Sequence, residues 1–97
     1  MANTLPFQHG TATVGTTAAP LLNVPTGIKG AKVKIHNNDA TKTVYIGDGT
    51  VAASGTAQGF PVLPNVTEEF TFTAGSVVQA IASGANTSVS FIWSASN

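Results

Sequence analysis

The chain has 97 residues, with four Lys, no Arg, four acids, two His, no Cys and a formal net charge of zero. A chain of this length makes one domain and buries roughly 60–65% of its unfolded surface, enough for a single core without metal or disulfide staples. The charge balance lacks the Lys/Arg footprint that neutralising phosphates requires, so it speaks against a nucleic-acid binder, and a membrane-surface role is equally unsupported.

Apolar runs are only a few residues long, far short of the ~20 needed to span a bilayer. Met1-Ala2-Asn3-Thr4-Leu5-Pro6 has neither a basic region nor an apolar stretch, so no secretory signal is expected. The lack of Cys agrees with a reducing compartment. Thr, Ala, Val, Gly, Ser and Asn dominate, which supplies β-branched residues for strands and small polar residues for turns, with few strong helix formers.

In chain order, residues 1–10, with Pro6, Phe7 and Gly10 ahead of the next run, are read as an arm. Thr11–Thr17 is a strand of weak apolar content. In Ala31–His36, Ala31, Val33 and Ile35 alternate strictly with Lys32, Lys34 and His36, as a half-buried strand requires. The turn-forming Asn37-Asn38-Asp39 follows, then Thr43–Ile46 closed by Gly47-Asp48-Gly49, and the two runs are expected to pair as a hairpin. Thr50–Gly59 reads as a surface loop. Phe60-Pro61-Val62-Leu63-Pro64 carries two prolines, which places it at a sheet edge or in an extended connection.

In Glu68–Thr73, Phe70 and Phe72 share a face opposite Glu69 and Thr71 and are expected in the core, with Ala74-Gly75-Ser76 as the next turn. Val77–Ala82 sets Val77, Gln79 and Ile81 on one face and Val78, Ala80 and Ala82 on the other, the pattern of a strand covered on both sides. After a Gly84-Ala85-Asn86 turn, Ser88–Ser94 puts Val89, Phe91 and Trp93 on one side, with Ile92 alone breaking the polar face. The sum is an all-β chain: a single compact β-sandwich, Ig-like or jelly-roll-like, of about six to eight short antiparallel strands over residues 11–97, preceded by the N-terminal arm.

Residues able to carry chemistry are few: His9, His36, Asp39, Asp48, Glu68, Glu69 and the lysines. His36 sits three residues from Asp39, but a solvated strand-end His beside an Asx turn accounts for the pair better than a catalytic dyad. His9, His36 and Asp39 have no ligand spacing for a metal. Gly47-Asp48-Gly49 offers one carboxylate where a calcium loop needs several. Ser54 lacks a nucleophile-elbow context. Glu68 and Glu69 are adjacent on a strand and point to opposite faces. No cofactor is expected, and the chain is not read as an enzyme. Trp93 shares parity with the core, which leaves Tyr45 for an exposed face. The Asn65-Val66-Thr67 and Asn86-Thr87-Ser88 sequons are read as turns.

The strings Val33-Lys34-Ile35-His36-Asn37-Asn38, Thr43-Val44-Tyr45-Ile46-Gly47, Gly59-Phe60-Pro61-Val62-Leu63-Pro64 and Val78-Gln79-Ala80-Ile81-Ala82 resemble those of small structural proteins of tailed-bacteriophage virions. The resemblance spans roughly residues 31–95 and departs at Pro64-Asn65, where a Pro-Gly turn is usual. It implies a capsid decoration, or cement, protein made in the bacterial cytoplasm and carried on the capsid surface of the virion. The implied partner is the major capsid protein of the phage head, with a homotrimer by analogy. In that role Leu5, Pro6, Phe7 and His9 of the arm would contact the capsid or a neighbouring copy. Tyr45, Val51 and Gln58 are the candidates for surface binding. The alternative is a receptor- or carbohydrate-binding β-sandwich module of a phage tail or fibre.

Overall fold

A computed structural model describes residues 7–96. Eight strands follow one another: β1 (Phe7–Val14), β2 (Ala19–Asn23), β3 (Gly30–Asn37), β4 (Val44–Gly47), β5 (Phe60–Val62), β6 (Thr67–Thr73), β7 (Val77–Ala82) and β8 (Thr87–Ser96), with one 3-10 turn at Gly55–Ala57. Pairing is nested and antiparallel throughout: β1 with β8, β2 with β7, β3 with β6 and β4 with β5. Two further pairings, β3 with β8 and β4 with β7, gather these hairpins into sheets of order β1-β8-β3-β6 and β2-β7-β4-β5. One long antiparallel ribbon rolled onto itself gives this order, which is that of a jelly roll. Of the two expected sandwich types, the jelly roll is the one formed.

The two inner faces meet in one core. From β3 come Ala31, Val33 and Ile35, all with no exposure, and opposite them stand Val44, Val62, Val78, Ala80 and Ala82. Trp93 of β8 is 5% exposed and belongs to this core, as its parity predicts. Alanines at the facing positions leave room for the indole and the branched side chains to interdigitate.

Four expectations need correction. First, β3 and β4 do not form a hairpin, because the chain passes from one sheet to the other between them. Asn37 makes the crossing: its fully buried side-chain amide donates to the carbonyls of Lys42 at 2.7 Å and Val62 at 3.0 Å, while its Oδ1 accepts the Asp39 N–H at 2.9 Å. Second, β7 is covered on one face only, with Val78, Ala80 and Ala82 inside and Val77 49% exposed. Third, Phe70 and Phe72 pack against the core but stay half-buried, since β6 is an edge strand. Fourth, Phe7–Gly10 are not outside the strands, because they pair with Phe91–Ser94 as the first half of β1.

The strand β2, Ala-Pro-Leu-Leu-Asn, carries no alternation in sequence. It forms because Leu22 enters the core, while Pro20 sits on an edge strand, where its missing N–H need not break the ladder. The proline-bearing β5 is an edge strand, as expected. Asn65 and Asn86 adopt left-handed backbone with φ of 60° and 59°, the turn geometry expected at both sequons. Among the described residues, no helix is long and apolar enough to cross a membrane.

Candidate interaction surfaces

Because side chains alternate across a strand, the register fixes what each sheet presents outward. On the β1-β8-β3-β6 sheet, three outward rows cross all four strands: Phe7, Ser94, Lys32 and Thr71; His9, Ile92, Lys34 and Glu69; Thr11, Ser90, His36 and Thr67. An open cleft of about 560 Å³ lies over the first two rows, lined by Phe7, Lys32, Lys34, Glu69, Ile92 and Ser94. Phe7 is 62% exposed and Ile92 45%.

The outer face of the second sheet carries an apolar strip. Tyr45 stands between Ile81 of β7 and Pro61 of β5, and Val77 projects from the same face. On the flank where β5 and β6 lie at the sheet edges, three phenylalanines form a ladder. Phe60 meets Phe70 edge-on with centroids 5.4 Å apart, and Phe70 stacks on Phe72 at 5.7 Å. Such pairs add to the stability that burial alone gives.

The residues expected to interact with partners fall in different places. Phe7 and His9 are exposed on β1, whereas Leu5 and Pro6 lie outside the described residues. Tyr45 is half-buried on the outward face, as its parity requires. Val51 is not a surface residue: it is 6% exposed and packs over Gly47 and Gly59, where a Cβ built on either glycine would fall within 2.8 Å of its side chain. The loop needs one apolar plug to close over β4, and Val51 is its only large apolar side chain. Gln58 is exposed on the rim of a 360 Å³ hollow that Asp48, Thr50 and Thr56 also line.

Phe60, Leu63 and Val77, each about half exposed, were not singled out from the sequence. Parity was the signal for Leu63 and Val77, whereas Phe60 pairs with the buried Ile46 and is exposed because β5 is an edge strand.

The titratable groups act locally. His36 Nδ1 is 2.7 Å from Thr67 Oγ1, so its partner is the neighbouring strand and not Asp39. Asp39 accepts the N–H groups of Thr41 and Lys42, both at 2.8 Å, and lies 3.9 Å from the Lys42 ammonium. These bonds, the Thr41 N–H first, hold its carboxyl below the ordinary value. Asp48 is lowered likewise, chiefly by the Thr50 hydroxyl at 2.7 Å and then by the Thr50 N–H at 2.9 Å. Both carboxylates close turns. Among the described residues, no three His, Asp or Glu side chains gather as metal ligands would.

The fold and these faces define a small jelly-roll sandwich with exposed apolar side chains on both outer sheet faces and one aromatic flank. No family model and no curated protein matches the chain. In fold it is similar to a protein of Bacillus endospore appendages, described as a novel family of disulfide-linked pili. The two are 17% identical with a TM-score of 0.60, over 97% of this chain and 88% of that one. At that identity the likeness shows the shared fold alone. The neighbour comes from a pilus and not from a virion.

Proposed function

We propose that the chain is a non-catalytic structural subunit that attaches to the outer surface of a tailed-phage capsid shell and stabilises it. The observation that carries this reading is the set of apolar side chains standing on the outside of a nearly uncharged sandwich. Phe7 and Ile92 lie on one face, Val77 and Tyr45 on the other, and Phe60 on the flank. A surface of this kind docks through shape, apolar contact and backbone pairing, so its attachment tolerates salt. The resemblance over residues 31–95 supports the virion as the larger particle, with the major capsid protein as partner. The pilus protein of similar fold supports a structural role more generally.

The test is electron microscopy of purified undecorated phage heads with and without the protein. Added density at regular shell positions, together with greater resistance of the heads to heat, is the expected result. Heads that stay bare at saturating protein would refute the assignment.

A second reading, a receptor- or carbohydrate-binding module of a tail or fibre, is favoured by Tyr45, whose ring stands outward between Ile81 and Pro61. A glycan array gives hits that Tyr45→Ser abolishes if this reading holds. An empty array removes it.

A further inference from the structure

The two sheets leave four edge strands, β1, β6, β2 and β5. An edge exposes a row of unpaired N–H and C=O groups, and soluble proteins blunt such rows with proline, charge, irregularity or brevity. Three of the four edges here are blunted. β2 carries Pro20 and a register irregularity between Pro20 and Leu22. β5 is three residues long and contains Pro61. β6 carries Glu69 on its outer face and Glu68 on its inner face, opposite the fully buried Ile35, and an inward-pointing charge on an edge is itself a block to further pairing.

β1 has none of these devices. Its sequence Phe-Gln-His-Gly-Thr-Ala-Thr-Val contains no proline and no Lys, Asp or Glu. It runs in unbroken register with β8 over eight residues. No turn or loop backbone bonds to its free side among the described residues. Gly10, which would otherwise weaken the strand, is covered from inside by the Phe91 ring, whose Cζ lies 2.8 Å from where a Cβ would stand. The same strand carries Phe7, the most exposed of the large apolar side chains described.

We infer that the free edge of β1 is an interaction surface whose partner is β1 of a second copy of this chain, paired antiparallel about a twofold axis. The occupant follows from the edges themselves. Of the four edges described, β2 and β5 are short and carry proline, and β6, though seven residues long, carries Glu68 and Glu69, so β1 alone offers a long row free of both proline and charge and is the edge best matched to β1 along its length. Self-pairing brings no Lys, Arg, Asp or Glu side chains together, because β1 holds none.

A twofold axis perpendicular to the sheet must set outward residues opposite outward residues. Of the centres that satisfy this, Gly10 and Thr11 pair the most of the strand, seven of its eight residues each, and of these two only Gly10 brings Phe7 into the pairing. There Phe7 lies opposite Thr13 of the second copy and His9 opposite Thr11. Both exposed phenyl rings are then covered, and the two sheets join into one of eight strands. The inference goes beyond the proposed function and does not depend on which particle carries the chain.

An edge-to-edge contact belongs to the small interface class, below about 1,200 Å², so the pair is weak and its concentration dependence is the readout. The experiment is sedimentation equilibrium of the full chain across micromolar to millimolar concentration, with β1 amide hydrogen exchange followed in parallel. The expected result is a monomer–dimer equilibrium in which alternate amides of β1 gain protection as concentration rises. Thr11→Lys, an outward substitution that leaves the core untouched, should weaken dimerisation roughly tenfold or more while thermal unfolding of the monomer is unchanged. Phe60→Ser, on the opposite flank, should leave it intact.

A monomer at millimolar concentration overturns the inference. So does a trimer, or a dimer that Phe60→Ser disrupts and Thr11→Lys does not. None of these outcomes bears on whether the chain binds a shell.

Discussion

The side chain of Asn37 donates a 3.0 Å hydrogen bond to the carbonyl of Val62, joining the end of β3 in one sheet to the edge strand β5 of the other across 25 residues of sequence. The backbone adds to the tie, since Asn37 N–H donates to Val66 O and Asn65 N–H donates to Asn37 O, each at 3.0 Å. Asn37→Ala strips the partners from two carbonyls and from the Asp39 N–H at a site with no exposure. The expected loss is about 3 kcal/mol. Urea unfolding of the two proteins measures it, and a loss under about 1 kcal/mol would mean that water replaces the amide.

Val51 and Gln58 belong to one loop and respond oppositely to truncation. Val51→Ala removes two methyl groups from a plug over Gly47 and Gly59 and should cost about 2 kcal/mol. Gln58→Ala, at an exposed position, should stay within about 0.5 kcal/mol. Equal thermal shifts in the two variants would contradict the placement of Val51.

Gly30 is held to glycine by backbone. A Cβ there would stand 2.5 Å from the Phe72 carbonyl oxygen across the β3–β6 pair, and a main-chain atom cannot swing aside. Gly30→Ala should cost about 1–3 kcal/mol through forced displacement of β6. Gly15→Ala is the control, because nothing lies within 4 Å of its added methyl. If both variants unfold at the same temperature as the parent, β6 sits farther from Gly30 than described.

Asp39 and Asp48 are expected to shape the acid limb of stability. Their native pKa values lie below the ordinary 3.8. Their contribution is therefore complete above that value and is lost as the pH falls through the lowered native values. The urea midpoint should hold steady as the pH drops from neutral towards 4 and decline below it. Asp39→Asn with Asp48→Asn should flatten the decline. A midpoint that already falls near pH 6 would contradict this assignment.

Legibility in the sequence followed how much of each element's pattern was its own. β3 was readable residue by residue, because its lysines and aliphatics alternate, and its inner residues alone fix which way His36 faces. Trp93 was placed in the core by parity with Val89, which is also buried. β2 had no such signal: its burial depends on β7 alongside it and on the sheet across the core, neither of which leaves a mark on Ala-Pro-Leu-Leu-Asn.

The β3–β4 connection looked like a hairpin because turn residues separate two strand patterns. Only the buried amide of Asn37, reaching Val62 far along the chain, turns it into a crossing. Among the candidate contacts, Tyr45 could be read as outward from its strand parity and Gln58 from its loop, whereas Phe7 and His9 were read as an arm and stand exposed on β1 instead. Val51 could not, since a small-residue loop gives no hint that one member is pinned beneath it.

Because β1 and β8 close the rolled ribbon on each other, Phe7 lies beside Ser94, and the polypeptide enters and leaves the sandwich at one corner. A peptide linker of a few residues could bridge that corner, so a circular permutant opened at the exposed Gly49-Thr50 turn should still fold.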